Sequence, residues 1–380
     1  MTQRTLTARS RNGVSRRSLI QSAAALVGAP LLATTNKVMA QDKLAGSGEV
    51  IVQSYGGSYT AGLQQYVHEP FTKATGIKVV DIVADLGDPQ VKAMQQAGKM
   101  DWDVAYITRP NYPLLQPTGV FVPVDYSLWD AESLQGVPQE ARLKDAVVLY
   151  SYAYFIAYDA RAFPNDGPKN WTDFWDVKKY PGARGLEGLA GRRTLVAAMR
   201  AAGIDAKDIY PMTDDKLDRA FAKLNEIKPH VVKWWTAGGE SPQLLLNREY
   251  AMSLSPDARV HSAIAKGAPI KYTYQDAIQS SALAMILKGG PNTSNAQKYF
   301  AFINRAQIAA GYTRGIGYPS PNTNQFKYLP PELVKQLCTH PDNAAKCVLE
   351  NFDWLTAKRP DGKINGDYVE SRWIEWRAKG

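Results

Sequence analysis

Residues 50–83 read VIVQSYGGSYTAGLQQYVHEPFTKATGIKVVDIV and alternate two β-type runs with one helical run. Residues 50–54 and 77–83 are rich in Val and Ile, which is typical of strands, and the segment between them repeats large apolar residues at helical spacing. These residues are Tyr59, Leu63, Tyr66, Val67 and Phe71. A strand, a helix and a second strand in this order predict an α/β fold with parallel strands.

The same alternation continues along the chain. An aromatic run at 147–158 is too continuous for a surface strand, so we interpret it as a buried strand that crosses from one lobe to the next. We predict further strands at 103–107, 251–255, 270–274 and 281–287, and helices at 88–98, 172–177, 193–202, 216–227, 257–266 and 368–378.

About 340 residues beyond the N-terminal segment are too many for one ordinary core, so we expect two lobes. Lobe 1 is predicted to comprise residues 41–157 and 283–312. Lobe 2 is predicted to comprise residues 158–282 and 313–380.

The first forty residues have the pattern of an export signal. Arg16 and Arg17 precede an apolar run at 19–32, and Ala40 ends a stretch of small residues suited to cleavage. The run is shorter than the ~20 residues that a membrane-spanning helix needs. The arginine pair is typical of the twin-arginine route, so we expect cleavage after about Ala40 and a soluble periplasmic product.

The basic charge belongs largely to that leader. Six of the 45 Lys and Arg residues and none of the 36 Asp and Glu residues lie in residues 1–40, so the net charge of +9 falls to +3 without them. The remaining charges are interspersed by sign and form no basic stripe. We therefore expect no nucleic-acid partner.

The only two cysteines, Cys338 and Cys347, lie close together in the sequence. In an oxidising compartment they are expected to form a disulfide across a short loop, with two buried thiols as the alternative. His340 lies between them, but a metal site needs three or four ligands, so we expect no metal and no cofactor.

The chain resembles the extracellular solute-binding proteins of the spermidine/putrescine-binding type over nearly all of its length beyond the leader. The stretches that carry the resemblance are 54–59 (SYGGSY), 70–79 (PFTKATGIKV), 101–104 (DWDV), 119–125 (GVFVPVD) and 170–176 (NWTDFWD). The resemblance implies a type II periplasmic-binding-protein fold with two α/β lobes, two crossover strands and hinge closure. It further implies a monomer that delivers its solute to an ABC permease in the inner membrane.

One departure bears on the solute. Where polyamine binders of this type place an aromatic residue and, two positions later, Asp, this chain has Ser280 and Ala282. Buried ammonium groups need carboxylates or aromatic faces around them. The solute is therefore predicted to be a small amine, with a polyamine and a zwitterion such as a γ-amino acid as the two alternatives.

The turn after the first strand is the first candidate binding segment. Tyr55, Gly57, Ser58 and Tyr59 combine a backbone that a ligand can approach closely with aromatic walls for an alkylammonium group. The alternative is an ordinary strand-to-helix turn with Ser58 as the N-cap.

Two charged residues follow later strands of the first lobe. Arg109 is a candidate carboxylate partner and Asp85 a candidate ammonium partner, because ligands bind at the carboxyl ends of parallel strands. A surface position at a loop start is the alternative for Arg109.

Tyr150, Tyr152, Tyr154 and Tyr158 alternate along the crossing strand, so they are predicted to share one face, with Tyr152 toward the cleft. Packing beneath helices is the alternative. Tyrosines also bind ferric iron, but no adjacent Tyr pair occurs here, so iron remains a minor hypothesis.

From the second lobe, Trp235 is predicted to cover the solute, and Asp257, Arg259 and Asp276 are predicted to supply its charged contacts. Core packing for Trp235 and helix capping for Asp257 are the alternatives.

An enzyme is the weaker hypothesis. The sequence has no nucleophile elbow, phosphate-binding loop, dinucleotide fingerprint or zinc-protease motif, and its four His residues are scattered. An exported sensor or chemoreceptor partner with the same fold, and an exported enzyme without a motif, remain as alternatives.

Overall fold

The computed structural model describes residues 43–84, 86–188 and 191–379. The first part of this range confirms the predicted strand-helix-strand opening, although the helical run is divided by a π-helical segment at Gln64–His68. Its elements are β1 (Glu49–Ser54), α1 (Gly57–Leu63), α2 (Glu69–Thr75), β2 (Lys78–Val83), α3 (Gly87–Gln96), β3 (Val104–Thr108), α4 (Tyr112–Leu115) and α5 (Ala131–Gly136).

The middle of the chain begins and ends with a long strand. Its elements are β4 (Val147–Asp159), α6 (Trp171–Trp175), β5 (Arg184–Glu187), α7 (Gly191–Ala201), α8 (Asp214–Ile227), β6 (Val231–Trp235), α9 (Glu240–Leu246), β7 (Met252–Pro256), α10 (Asp257–Ala265) and β8 (Ile270–Ile286).

The C-terminal part is mostly helical. It contains α11 (Thr293–Ile303), α12 (Ala306–Ile316), α13 (Pro331–Val334), α14 (Pro341–Ala344), β9 (Val348–Leu349), α15 (Phe352–Thr356) and α16 (Asn365–Ala378). The predicted C-terminal helix is confirmed, with Val369, Trp373 and Trp376 buried. Short 3₁₀ turns lie at Gln116–Thr118, Tyr126–Leu128, Gln139–Ala141, Ala206–Asp208, Lys228–His230 and Thr323–Tyr328.

The strands described form one sheet in the order β2-β1-β3-β8-β4-β7-β5-β6, with β9 beside β8. β1 pairs in parallel with β2 and β3, as predicted, and β5 pairs in parallel with β6 and β7. Between these groups, β4 and β8 run antiparallel to each other. The sheet is therefore two parallel groups joined by two long antiparallel strands.

The two parallel groups point their carboxyl ends at each other. β3 pairs antiparallel with β8 and ends opposite Ala282, whereas β7 pairs antiparallel with β4 and ends opposite Tyr154. Because β4 and β8 are themselves antiparallel, β3 and β7 run toward one another. The loops that follow the short strands consequently meet across residues 150–154 of β4 and 278–282 of β8.

Two separate hydrophobic cores lie on either side of this junction. β4 contributes Val147–Leu149 to the first core and Phe155–Ala157 to the second, and β8 contributes residues 283–286 to the first and Ala277 and Ile278 to the second. A small third cluster contains Ala310, Leu329 and Leu337. The stretch of each long strand between the cores is polar or aromatic, with Ser151 and Tyr152 on β4 and Ser280 and Ser281 on β8.

One prediction about the strands was wrong. Residues 270–274 and 281–287 were expected to be separate strands, but β8 is continuous from Ile270 to Ile286. The polar residues Gln275 and Asp276 interrupt its apolar pattern, and Asp276 has a left-handed φ of 59°. The strand register shifts there, between the Tyr154 and Ile156 pairs, so the break is a bulge and not a chain reversal.

None of the helices in the described residues is long and apolar enough to cross a membrane.

The start of α3 is fixed by a close approach to the first parallel group. Gln53, fully buried on β1, accepts a hydrogen bond from Tyr106 N at 2.8 Å and donates one to Ala84 O at 2.9 Å. A Cβ atom at Gly87 would overlap the carbonyl oxygen of Tyr106 and Oε1 of Gln53. Only glycine therefore lets α3 begin this close to the strand ends.

We expect Gly87→Ala to lower the free energy of unfolding by roughly 1–3 kcal/mol, because the backbone oxygen of Tyr106 cannot move aside cheaply. Gly239→Ala is the matched control, since a Cβ there would meet no atom within 4 Å. Chemical denaturation of both variants checks this, and equal stability would contradict the close approach.

Candidate functional site

The strand ends bring several predicted residues to the junction between the cores. Tyr55 follows β1, Arg109 follows β3 and Asp257 follows β7. Because these strands point toward one another, side chains that lie more than two hundred positions apart in the sequence meet at one place. Ligands of α/β proteins commonly bind at such strand ends.

Aromatic rings cover one face of the junction. Tyr55 contacts Tyr59 with ring centroids 4.8 Å apart, and Tyr59 contacts Tyr150 at 6.5 Å. Along β4, Tyr150, Tyr152 and Tyr154 contact one another in sequence at 6.1 Å and 6.0 Å, which confirms that they share a face. We call the set Tyr55, Tyr59, Tyr150, Tyr152, Tyr154 and Tyr318 the tyrosine wall.

Tyr318 was not predicted. It follows α12 and stacks on Tyr150 with ring centroids 4.7 Å apart. Its place in the wall depends on how α12 packs, which no local pattern at residues 316–320 reveals.

The tyrosine wall is uncharged at any physiological pH. Burial raises the pKa of Tyr55, Tyr59, Tyr150, Tyr152 and Tyr154 above the ordinary value of 10.0, and raises that of Tyr318 to about 12. The hydroxyl groups can therefore donate or accept hydrogen bonds, and the ring faces are available to a cation.

Two ion pairs stand next to the wall, at the start of α7. Arg193 donates from Nε to Glu187 Oε2 at 2.8 Å and from Nη2 to Glu187 Oε1, and its guanidinium lies 4.1 Å from the centroid of Tyr154. Arg192 donates from Nε to Glu350 Oε1 at 2.5 Å. The predicted set omitted all four charged residues, although Arg192 and Arg193 follow β5 just as Arg109 follows β3.

Glu350 is buried but ionised. Its side chain is 1% exposed. Burial alone would raise its pKa, but Arg192 and Arg193 outweigh that effect and hold the pKa below its ordinary value of 4.5. A full negative charge therefore lies inside the junction at neutral pH.

An open cleft of about 900 Å³ adjoins these groups, and we call it the junction cleft. Its lining includes Arg109, Lys207, Tyr210, Ser280, Glu350 and Asp353. Arg109 donates from Nη1 to Ser281 Oγ at 3.3 Å and lies 5.6 Å from the ring centroid of Phe352. Ser280 and Glu350 also neighbour Tyr152, so the cleft and the tyrosine wall share a border.

Several polar atoms on this lining are buried without a hydrogen-bond partner. They are Tyr210 OH, Gln279 Oε1, Ser280 Oγ, Thr339 Oγ1 and Glu350 Oε2. Buried polar groups in native proteins are nearly always paired with protein, water or ligand. The concentration of such atoms here indicates a polar occupant.

Comparison with known proteins agrees with this geometry. Residues 67–336 match the model of the bacterial extracellular solute-binding protein family. The chain belongs to this family.

Curated relatives include a gamma-aminobutyric acid-binding protein of Pseudomonas aeruginosa, 30% identical over 88% of this chain and 92% of that protein. The spermidine/putrescine-binding periplasmic protein of Escherichia coli is 22% identical over 80% of this chain and 86% of its own length.

Among solved structures, an ABC transporter substrate-binding protein from Bradyrhizobium japonicum superposes with a TM-score of 0.78 at 33% identity, covering 87% of this chain and 99% of that one. The fold of this solute-binding protein is the predicted two-lobed type II fold, with β4 and β8 as its two crossover strands.

Some residues predicted to contact the solute lie elsewhere in this solute-binding protein. Trp235 is 2% exposed within the second core, where its indole N–H donates to Leu254 O at 3.0 Å. Asp276 forms an ion pair with Arg200, in which Oδ1 lies 3.0 Å from Nη2. Arg259 is exposed. None of these three side chains lines the junction cleft.

The turn after β1 differs in detail from both of its interpretations. α1 begins at Gly57, so Ser58 lies inside the helix and Gly56 occupies the N-cap position, with a left-handed φ of 74°. The backbone N–H of Gly56 donates to Thr60 Oγ1 at 3.0 Å. Asp85 lies outside the described residues, and so does the side chain of Ser58.

The predicted disulfide is absent from the structure, in which Cys338 and Cys347 are free thiols. Cys338 is buried and donates to the carboxyl group of Asp257, whereas Cys347 Sγ donates to Asn343 O at 3.2 Å. Each thiol therefore has its own partner. In the residues described, no three His, Cys, Asp or Glu side chains are grouped as a metal site would need.

Asp257 is an anchor for the crossover strand. Its carboxyl group is 3% exposed and accepts hydrogen bonds from Ala153 N on β4 at 3.0 Å and from Ala258 N at 2.8 Å. Burial raises its pKa from an ordinary 3.8 to about 7, despite these two backbone donors. Asp257 therefore holds β4 against the start of α10, where Pro256 occupies the N-cap position.

The pKa of Asp257 predicts a pH-dependent stability. Between pH 3.8 and about 7 the unfolded carboxyl is ionised while the folded one holds its proton. The folded state then binds more protons, so the free energy of unfolding should fall as pH rises through this window, at up to ~1.4 kcal/mol per pH unit.

In Asp257→Asn this contribution should disappear. Chemical denaturation of both proteins between pH 4 and pH 8 measures it as the difference between their curves. The same pH slope in both proteins would contradict the protonated carboxyl.

Proposed function

We propose that this protein is the periplasmic substrate-binding component of an ABC importer and captures a small amine-bearing solute at the junction of its lobes. The observation that carries the proposal is the tyrosine wall, which lies beside the buried carboxylate of Glu350 where the two parallel groups face each other. Aromatic faces and a carboxylate are the groups that stabilise a desolvated alkylammonium ion.

The relatives support an amine as the solute, since one is named for gamma-aminobutyric acid and another for spermidine and putrescine. A polyamine would need carboxylates for each of its ammonium groups. A γ-amino acid would need one carboxylate and one cation, and Arg109 is our proposed partner for its carboxylate because it lines the junction cleft with a partly free guanidinium.

Capture is proposed to occur by closure of the lobes on the solute. The predicted lobes, 41–157 with 283–312 and 158–282 with 313–380, remain our proposal, because the two cores are separate and, in the described residues, β4 and β8 are the strands that contribute to both. Ile316 and Tyr318 pack against the first core, so we propose that the end of α12 and the turn after it belong to lobe 1. The β4–β8 register shifts between Val148 and Tyr150 and between Tyr154 and Ile156, so irregular pairing flanks the segment that would bend.

The cellular setting is part of the same proposal. Residues 1–40, with Arg16-Arg17, are proposed to direct export by the twin-arginine route and to be removed near Ala40, but they lie outside the described residues. The mature protein is proposed to act as a monomer that passes its solute to an inner-membrane permease. No catalytic step, cofactor or nucleic acid is part of this role.

Thermal denaturation with a panel of solutes tests the proposal. The panel contains 4-aminobutanoate, putrescine, spermidine, choline and a ferric salt. We expect an amine to stabilise the protein by about 2.7 kcal/mol at 100 times its dissociation constant, and we expect it to be recovered chemically unchanged. A shift by ferric ion alone, turnover of the amine, or no shift with any amine would each overturn the proposal.

The tyrosine wall gives a more local prediction. We expect Tyr152→Leu to raise the Kd of the bound amine about tenfold or more, because a desolvated cation–π contact contributes ~2 kcal/mol. Tyr158→Leu is the matched control, since Tyr158 lies on the same strand beside Phe163 in the second core. Isothermal titration calorimetry compares the two variants, and equal Kd values would exclude Tyr152 from the site.

A further inference from the structure

The positions that distinguish this chain from polyamine binders lie in the middle of the junction. Ser280 pairs with Tyr152 across β4 and β8, and Ala282 pairs with Tyr150 on one side and Thr108 on the other. At Ala282 the sheet presents a methyl group where the resemblance leads one to expect a carboxylate. An amine bound against Tyr152 therefore needs its counter-charge from another part of the chain.

β9 brings a carboxylate to this place. Val348 and Leu349 pair with Ile278 and Gln279 of β8, and Glu350 N donates to Gln279 O at 3.0 Å. This register places Glu350 next to Ser280, at the border of the tyrosine wall and the junction cleft.

The two oxygens of Glu350 are used unequally. Oε1 accepts from Arg192 Nε, whereas Oε2 is buried and has no charged hydrogen-bond partner; the hydroxyl group of Ser280 is the side-chain donor beside this carboxylate. The residue as a whole is 7% exposed and lines the junction cleft. A buried, ionised oxygen without a charged donor is costly, and an ammonium group supplies three donors and the opposite charge.

Of the carboxylate oxygens in the two ion pairs, Glu350 Oε2 is the one that an ammonium group would bind. Both oxygens of Glu187 are held by Nε and Nη2 of Arg193, whereas Glu350 is held by Arg192 through Oε1 alone. Tyr152 pairs with Ser280 from β4, and Glu350 lies next to Ser280 on the other side of β8. An aromatic side chain and a carboxylate thus flank Ser280, one from each side of β8.

We propose that Glu350 accepts the ammonium group of the solute through Oε2 and so replaces the carboxylate that position 282 lacks. This assignment rests on the proposed function, because it presupposes an amine in the junction. It makes Glu350 a binding residue for the solute in addition to a partner of Arg192.

Isothermal titration calorimetry on Glu350→Gln tests the assignment. The probes are 4-aminobutanoate with 4-hydroxybutanoate, and putrescine with 1,4-butanediol, so that each amine has an analogue with hydroxyl groups instead. Gln can still accept from Arg192 but offers no charge. We expect the Kd of the amine to rise roughly 10- to 100-fold, the effect of losing a charged hydrogen bond, with little change for the hydroxyl analogue.

Glu140→Gln is the matched control, because Glu140 lines the same cleft but is exposed. Its Kd for the amine should stay within about twofold of the wild-type value, as expected for an exposed charge. If Glu350→Gln does not fold, Glu350→Asp serves instead: it keeps the charge, withdraws the carboxylate by one methylene, and should still weaken the amine selectively.

The outcomes separate this inference from the proposed function. Amine binding by the wild type and equally by Glu350→Gln would overturn the assignment and leave the importer role intact. A lower melting temperature with unchanged Kd would overturn it as well, because the ion pair with Arg192 would then be only structural. If the wild type binds no amine of the panel, the proposed function fails and the assignment fails with it.

Discussion

The antiparallel pairing of β4 with β8 is the constraint on which the rest of the structure depends. Both strands are long enough to enter two hydrophobic cores, and their pairing runs from Val147 opposite Ala284 to Asp159 opposite Ile270. Every short strand joins this pair from one side or the other. The opposed directions of β3 and β7 follow directly, and with them the meeting of all the strand-end loops at one junction.

The junction also explains why so many polar groups are buried together. A stretch of sheet between two cores has no apolar layer of its own, so its side chains must find partners among one another or in a ligand. Arg193 with Glu187 and Arg192 with Glu350 are such partners, and the hydroxyl groups of Tyr59 and Tyr312 pair with each other. The atoms left unpaired, above all Glu350 Oε2, mark the place where a bound solute would supply the missing hydrogen-bond partners.

Local periodicity was sufficient to predict much of the fold. The parallel first strands, the shared face of Tyr150, Tyr152 and Tyr154, and the apolar face of the C-terminal helix each depend on spacing within about twenty residues. The continuity of β8 could not be predicted, because the bulge at Asp276 has the polar composition of a turn. The sequence pattern around Trp235 could not tell that its indole points into the second core.

The candidate site was harder to predict because its decisive contact is long-range. Arg192 and Glu350 lie 158 positions apart, and a two-residue strand sets their register. No local pattern around residues 345–353 distinguishes Glu350 from an exposed glutamate. The resemblance to polyamine binders identified what is missing at position 282, and only the folded chain reveals which carboxylate stands nearby.

A crystal structure of the protein with the amine that stabilises it most is the direct test of the claim that the solute binds between the two cores. The expected result is a solute enclosed at the junction, with its alkylammonium end against Tyr152 and contacts to residues of both cores. A solute bound against one core alone, or outside the tyrosine wall, would contradict the claim.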